Sequence, residues 1–467
     1  MKIPARVHLL GIGGVGMGAL AGLFHAAGAR VTGSEAGAVY PPMSLLLDEL
    51  KIPVCEGYRP ENLSRTRPDL VIIGNVIRRD NPEAQAVFRE RIPYLSLPEA
   101  IYTYFIRGKK SLVVTGTHGK TTTSSLLSFA LERLGASPTF LVGGLLRDRR
   151  RNYALGQGEY VVLEGDEYDS AFFDKRPKFI HYAPHAAILT SVEFDHADIY
   201  PNFEALKQAF ADFVTLLPEK GLLLVSGDAG AREVAAKAPA RVETYGREGA
   251  FRLLSRKPRS SPPGQEMRVA WPGGETRFFL PLIGAHNAEN ALAVFGLLVS
   301  LGFDAREVAA ALSRFPGVSR RQEILLEEPV TVIDDFAHHP TAVKVTLEAV
   351  RETWPGRRLI ALFEPRTNTS RRRIFQEDYA AALAGADLVF LKPPPQLEKV
   401  PEEERIDLAR LAEDLNRRGT EALALDDPEA LLAALRERIA PGDVVLFMSN
   451  GPFDGLPQKL VRALKRD

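Results

Sequence analysis

A short apolar run, Leu112–Thr115, leads straight into Gly116-Thr-His-Gly-Lys-Thr121, and a helical pattern follows to about Leu134. Strand, glycine loop and helix in that order form the layout in which a chain closes around phosphate. Glycines let backbone N–H groups approach the phosphate oxygens, and the helix N-terminus adds a partial positive charge. Lys120 can reach the outer phosphates and the Thr121 hydroxyl can ligate Mg²⁺. The loop is shorter than the common form, with two residues between Gly116 and Gly119-Lys120. The helix carries Leu126, Leu127, Phe129, Ala130, Leu131 and Leu134, and Gly135 is placed to end it.

Acidic and imidazole groups follow two neighbouring apolar runs. Glu164 comes directly after Tyr160–Leu163, and His196 comes after Ala186–Thr190, within Glu193-Phe-Asp-His196. Both would lie past the carboxyl ends of buried parallel strands, where ligands bind in open α/β sheets. Carboxylate, imidazole and threonine hydroxyl together could hold Mg²⁺ against a developing γ-phosphate charge. Glu164 also suits an acid at a helix N-terminus, and His196 a core or capping histidine.

A second glycine loop lies near the N-terminus. Val7–Leu10 reads as a strand, Gly11-Ile-Gly-Gly-Val-Gly16 as the turn, and Gly16 to Ala27 as a helix ended by Gly28. Alone, G-x-G-x-x-G suggests a dinucleotide, and Glu35 follows at the expected interval. The same loop would hold the diphosphate of any nucleotide conjugate. An oxidoreductase has no need of an ATP-type loop in the next domain, so the pair of loops points to two nucleotide ligands. One would react and the other would serve as a handle. A tight turn packed against its own helix is the alternative without a ligand.

At 467 residues the chain has room for about three domains. The polar break Arg107-Gly-Lys-Lys110 and the segment Phe315-Pro-Gly-Val318 divide it into 1–107, 108–318 and 319–467. Strands are expected at Val31–Gly33 and Leu70–Gly74 in the first unit, and at Val330–Ile333, Leu359–Phe363, Leu388–Leu391 and Val444–Met448 in the third. The fold class is therefore α/β: Rossmann-like, then a central phosphate-loop ATPase unit, then Rossmann-like again. Arg252–Gln265, rich in Arg, Ser and Pro, is expected to be an exposed loop.

Lys+Arg and Asp+Glu are both 59, which speaks against binding nucleic acid or an anionic membrane through the global field. Cys55 is the one cysteine, so no intrachain disulfide or cysteine metal cluster can form. No apolar stretch is long enough for a membrane span. A cytoplasmic protein acting on small molecules, as a monomer or weak homo-oligomer, is expected.

In these stretches the chain resembles the Mur ligase family, the ATP-dependent amide-forming enzymes of peptidoglycan assembly. The resemblance runs through Gly11-Ile-Gly-Gly-Val-Gly-Met17, Gly116-Thr-His-Gly-Lys-Thr-Thr-Thr123, Glu164-Gly-Asp-Glu167, Phe194-Asp-His196, Gly284-Ala-His-Asn-Ala-Glu-Asn290, Ser319-Arg-Arg-Gln322 and Ile333-Asp-Asp-Phe-Ala-His-His-Pro340. It implies a first domain for a UDP-sugar, contacted by Gly11, Gly13, Gly14, Val15, Gly16, Met17, Ser34, Asn75 and the turn Asp80-Asn-Pro-Glu83. It implies ATP held by Gly116, Thr117, His118, Gly119, Lys120, Thr121 and Thr122, with Thr121, Glu164 and His196 around Mg²⁺. His286, Asn287 and Asn290, on one helical face, would hold the adenine, and Asp334 or Asp335 the ribose. Arg320 or Arg321 would reach the γ-phosphate, with Arg320 taken as catalytic beside Lys120, Glu164 and His196. The chain departs from several members at Ala211, where they carry a carbamylated lysine; Lys207 is the nearest lysine.

Two branches of the family take UDP-N-acetylmuramate as the acid. One adds L-alanine and the other adds the preformed tripeptide L-alanyl-γ-D-glutamyl-meso-diaminopimelate. Glu164–Lys175, Phe363-Glu-Pro-Arg-Thr-Asn-Thr369 and Met448-Ser-Asn-Gly451 resemble the second. A tripeptide brings several carboxylates, and Arg366, with Asn368 and His338, is the expected peptide contact; Arg371–Arg373 could equally be a solvated face. His196, His338 and His339 are candidates for the base that frees the amine.

Overall fold

The structure is a computed structural model that describes residues 2–194, 199–367, 369–395 and 397–466. Among them the strands build three large sheets, and what matters for function is which strand ends each sheet brings together.

The first sheet is fully parallel, in the order Val54–Glu56, Arg30–Glu35, Arg6–Leu10, Leu70–Ile73, Tyr94–Ser96. Arg6–Leu10 is central, so successive crossovers leave it in opposite directions and open a crevice at its carboxyl end. Gly11 sits at that point with φ +80°, and the helix Val15–Ala26 follows. Gly28, at φ +89°, takes the left-handed conformation past the helix end.

The second sheet has ten strands. Lys110–Thr115 lies between Pro184–Leu189 and Tyr160–Glu164, parallel to both. Their buried Val, Leu and Ile side chains fit a sheet covered on both faces. The helix Lys120–Arg133 covers one face together with Ala285–Ser300, and Leu126, Leu127, Leu131 and Phe295 are fully buried between them and the sheet. Each such side chain contributes about 1.5–3 kcal/mol.

The loop expected at Arg252–Gln265 is instead two antiparallel strands, Phe251–Ser260 and Pro263–Trp271, continued by Gly274–Leu280 at the edge of this sheet. Its Arg, Ser and Pro residues report exposure, not irregular backbone. The partner strand supplies the buried side chains, Met267 and Val269, while Arg256 and Arg259 pair with Glu352 and Glu266.

The third sheet runs Glu323–Leu326, Thr331–Asp335, Val444–Met448, Leu359–Phe363, Leu388–Leu391, Glu421–Ala424, parallel except for the first strand. Among the described residues no helix is long and apolar enough to cross a membrane.

Candidate functional site

A cavity of about 530 Å³ opens where the ends of the second sheet face the third. It is lined from the glycine loop by Thr117, His118, Gly119, Lys120, Thr121 and Thr122, and from neighbouring strand ends by Glu164, Glu167, Thr190 and Glu193. The close packing of the loop demands its glycines. A Cβ on Gly116 would lie 2.2 Å from Thr190 Oγ1, and one on Gly119, at φ +78°, would lie 2.7 Å from Asn290 Oδ1.

Lys120 Nζ donates to the carbonyls of Gly116 (2.7 Å) and Thr117 (3.3 Å) and to Glu167 Oε1 (2.9 Å). Burial disfavours its charge, but Glu167, Asp166 and Glu164 outweigh this and hold the ammonium above its usual range. Thr121 donates to Glu164 Oε1 at 2.9 Å, and the other oxygen of Glu164 accepts from the Gly143 amide at 2.7 Å. Two hard oxygen donors, mutually oriented and facing the cavity, suit Mg²⁺. His196 lies outside the described residues.

The two adjacent arginines diverge. Arg321 enters the cavity, 3.3 Å from the Thr121 hydroxyl and stacked over Phe336 at 4.5 Å. Arg320, at φ +58°, turns the other way: it donates to the carbonyls of Ser449 and Gly451 and pairs with Asp334 at 3.4 Å. The structure thus brings Arg321, not Arg320, to the phosphate loop. The aspartates divide likewise. Asp335 lines the cavity and accepts from the amides of Gln322 and Ala337, both at 2.7 Å, whereas Asp334 stays with Arg320. Burial pushes the Asp334 carboxyl up to about 6, with Arg320 opposing it.

His286, Asn287 and Asn290 meet on one face of Ala285–Ser300 and line the cavity. Asn287 donates to Gln322 Oε1 (2.8 Å), and Asn290 donates to Asn287 Oδ1 (3.2 Å). Burial, aided by Arg256, pushes the His286 imidazole down to about 4, so it is neutral at pH 7. His338 also lines this cavity, with Nδ1 3.0 Å from the Phe336 carbonyl. Sequence reasoning missed Glu167, the partner of Lys120, and Gln322, the link between the asparagine face and Asp335. Their positions inside Glu164-Gly-Asp-Glu167 and Ser319-Arg-Arg-Gln322 were the available signal.

The first loop is built differently. Gly11 N donates to the Ser34 carbonyl (2.9 Å) and Gly13 N donates to Glu35 Oε2 (2.9 Å). The Ser34 side chain is not available as expected: it is fully buried, hydrogen-bonded to His8, Glu83 and Asn62. Asn81 caps the helix Pro82–Arg89 and Glu83 is fully buried, so the turn Asp80–Glu83 is committed to the fold. Gly14 precedes the helix, Gly16 packs near Leu97, Val15 is exposed, Met17 is buried, and Asn75 is exposed past the end of Leu70–Ile73.

In the third unit Glu364 is fully buried between Lys392 (2.9 Å), Ser449 (2.9 Å) and Arg366 (3.5 Å). Lys392 also pairs with Asp454 at 2.8 Å, and Arg372 pairs with Glu404. Among the described residues Arg371 Nε and Asn450 Oδ1 are buried without a hydrogen-bond partner. Asn368 lies outside the described residues. Ala211 is buried in the helix Phe203–Val214, and Lys207 is paired with Glu204 (2.9 Å) and Glu233 (3.0 Å).

Comparison with known proteins matches the chain to the Mur ligase family catalytic domain over residues 6–106, the Mur ligase middle domain over 114–298, and the Mur ligase glutamate ligase domain over 320–451. The UDP-N-acetylmuramate–L-alanyl-γ-D-glutamyl-meso-2,6-diaminoheptandioate ligase of Escherichia coli K12 is 38% identical, with 99% of this chain and 98% of that protein aligned. Among solved structures, a murein peptide ligase from Psychrobacter arcticus is 30% identical with a TM-score of 0.72, covering 98% of each chain. The UDP-N-acetylmuramate–alanine ligase of Thermotoga maritima is 28% identical with a TM-score of 0.82, covering 99% of each. With family matches in all three parts of the sequence and full-length relatives above 30% identity, this chain belongs to the Mur ligase family.

Proposed function

We propose that the chain is an ATP-dependent ligase of peptidoglycan recycling, acting in the cytoplasm. It joins L-alanyl-γ-D-glutamyl-meso-diaminopimelate to the lactyl carboxylate of UDP-N-acetylmuramate. Residues 1–107 hold the sugar nucleotide, 108–318 hold ATP and 319–467 hold the tripeptide.

The lactyl carboxylate oxygen attacks the γ-phosphorus of ATP, the bond to the β-phosphate oxygen breaks, and ADP leaves. The tripeptide α-amine then attacks the carbonyl carbon of the acyl phosphate. The tetrahedral intermediate collapses with loss of inorganic phosphate, leaving the amide. Lys120 and Arg321 place two cations against the charge that develops in the first step. Thr121 and Glu164 are the residues that would hold Mg²⁺, which supplies further neutralisation of the phosphates. Asn287 and Asn290 offer amides to the adenine, and Asp335 offers a carboxylate to the ribose. His338, which lines the cavity, would take a proton from the amine.

The choice of amine is carried by the cluster around Glu364. Arg366 and Lys392 flank a buried carboxylate at the carboxyl end of Leu359–Phe363, and Arg371 Nε and Asn450 Oδ1 await partners among the described residues. Guanidinium forks suit an amine with several carboxylates, where L-alanine brings one. The close structural overlap with the T. maritima alanine ligase favours L-alanine as the rival amine. The test offers UDP-N-acetylmuramate, ATP and Mg²⁺ with either amine and weighs the products by mass spectrometry. Tripeptide product with little alanine product is expected. Alanine product in its place would move the chain to the other branch, and no product with either amine would remove UDP-N-acetylmuramate as the acid.

A further inference from the structure

His118, Glu193 and His339 each place one donor atom within 4.8 Å of the other two. They come from three separate elements. His118 belongs to the phosphate loop, Glu193 follows the strand Pro184–Leu189, and His339 caps the helix Pro340–Thr353 of the third unit. His118 Nε2 is 2.8 Å from Glu193 Oε2, while Thr341 donates to the other oxygen of Glu193 at 2.9 Å and so fixes its rotation. The two imidazole rings are 5.2 Å apart, centre to centre.

We infer that these three side chains form a site for a borderline divalent ion of the Zn²⁺ type, separate from the oxygen-donor pair Thr121 and Glu164. Two imidazoles and one carboxylate with an open position are a zinc-type donor set, whereas Mg²⁺ prefers oxygen ligands. Thr341 supplies the outer hydrogen bond that orients the ligating carboxylate. Bonds of about 2.1 Å cannot span donors more than about 4.2 Å apart. Where a pair stands wider than this, ligation draws the third unit toward the phosphate loop. His339 Nδ1 accepts from the Thr341 amide at 3.4 Å. The ion therefore ties the phosphate loop to the third unit. This inference stands whichever amine the enzyme uses.

The test titrates the full-length protein, without nucleotide, with Co²⁺ and reads the visible absorption of a nitrogen-containing, low-coordinate site, then displaces the Co²⁺ with Zn²⁺. One equivalent is expected, unaffected by millimolar Mg²⁺. His118→Ala, Glu193→Gln and His339→Asn should each weaken binding by about 10–100-fold. Asparagine at 339 retains a helix cap, so that variant keeps its fold, as circular dichroism checks. His25→Ala, on the exposed end of the first helix, should bind as the parent does. Equal binding by all three site variants, displacement by Mg²⁺, or no Co²⁺ absorption would each overturn the assignment.

Discussion

The two glycine loops share one layout, strand, turn and helix, yet they carry opposite charge. In the central loop an ammonium lies across the turn: Lys120 spans the Gly116 and Thr117 carbonyls and reaches Glu167. In the first loop a carboxylate does so. Glu35 accepts from Gly13 N (2.9 Å), Ala36 N (3.0 Å) and the Tyr58 hydroxyl (2.9 Å). A loop closed by an ammonium suits a reacting triphosphate. A loop closed by a carboxylate suits hydroxyl groups of a ligand that is held and not broken. On the proposed function, the backbone motif sets where each nucleotide sits, and the side chain laid across it sets what happens there.

The largest effect should come from removing the central cation. Lys120→Met is expected to cut kcat by about 10²–10³ while UDP-sugar binding, followed by calorimetry, stays near the parent value. Loss of both together would merge the two loops into one site. In the first unit, Glu83→Ala breaks a fully buried cluster beneath the glycine loop, in which His8 Nε2 is 2.8 Å from Glu83 Oε1 and Ser34 Oγ 2.9 Å from it. Denaturant unfolding should show a loss of about 3 kcal/mol. An unchanged midpoint would mean the cluster does not support that loop.

Protonation should separate the regions further. His286 is held neutral by burial down to about pH 4, whereas an unfolded imidazole titrates near 6.5. The unfolded state therefore binds more protons between these values. Stability falls as pH drops through that window, at up to about 1 kcal/mol per pH unit. Comparing urea unfolding of His286→Gln with the parent should show that slope reduced in the variant. Parallel curves would contradict the neutral ring. The smallest effect is expected at the first loop. Glu35→Gln should raise KM for the UDP-sugar by severalfold, about 1 kcal/mol, with kcat unchanged. A fall in kcat at saturating sugar would show that this loop takes part in the chemistry.

Much of this was legible in the sequence because glycine at a strand–helix junction leaves few alternatives. The two loops, the helix ends at Gly28 and Gly135, and the buried strands on either side of Lys110–Thr115 follow from local pattern alone. What was not legible depends on where a side chain turns. Arg320 and Arg321 are adjacent, and only the left-handed backbone at Arg320, with Gln322 at φ +48°, sends one to Gly451 and the other to Thr121. Ser34 lies one residue before the end of Arg30–Glu35, opposite Leu10, and its hydroxyl faces His8 and Glu83, which lie far from it in sequence. The stretch Arg252–Gln265 misled because its buried partners lie on the next strand, not within it.

The central claim is that the second loop breaks ATP while the first only holds the acid that attacks it. Positional isotope exchange in ATP labelled with ¹⁸O at the β–γ bridge tests this most directly, with UDP-N-acetylmuramate and Mg²⁺ present and no amine. The account predicts scrambling of the label that requires the sugar nucleotide and vanishes in Lys120→Met. Scrambling without the sugar nucleotide, or none until the amine is added, would contradict it.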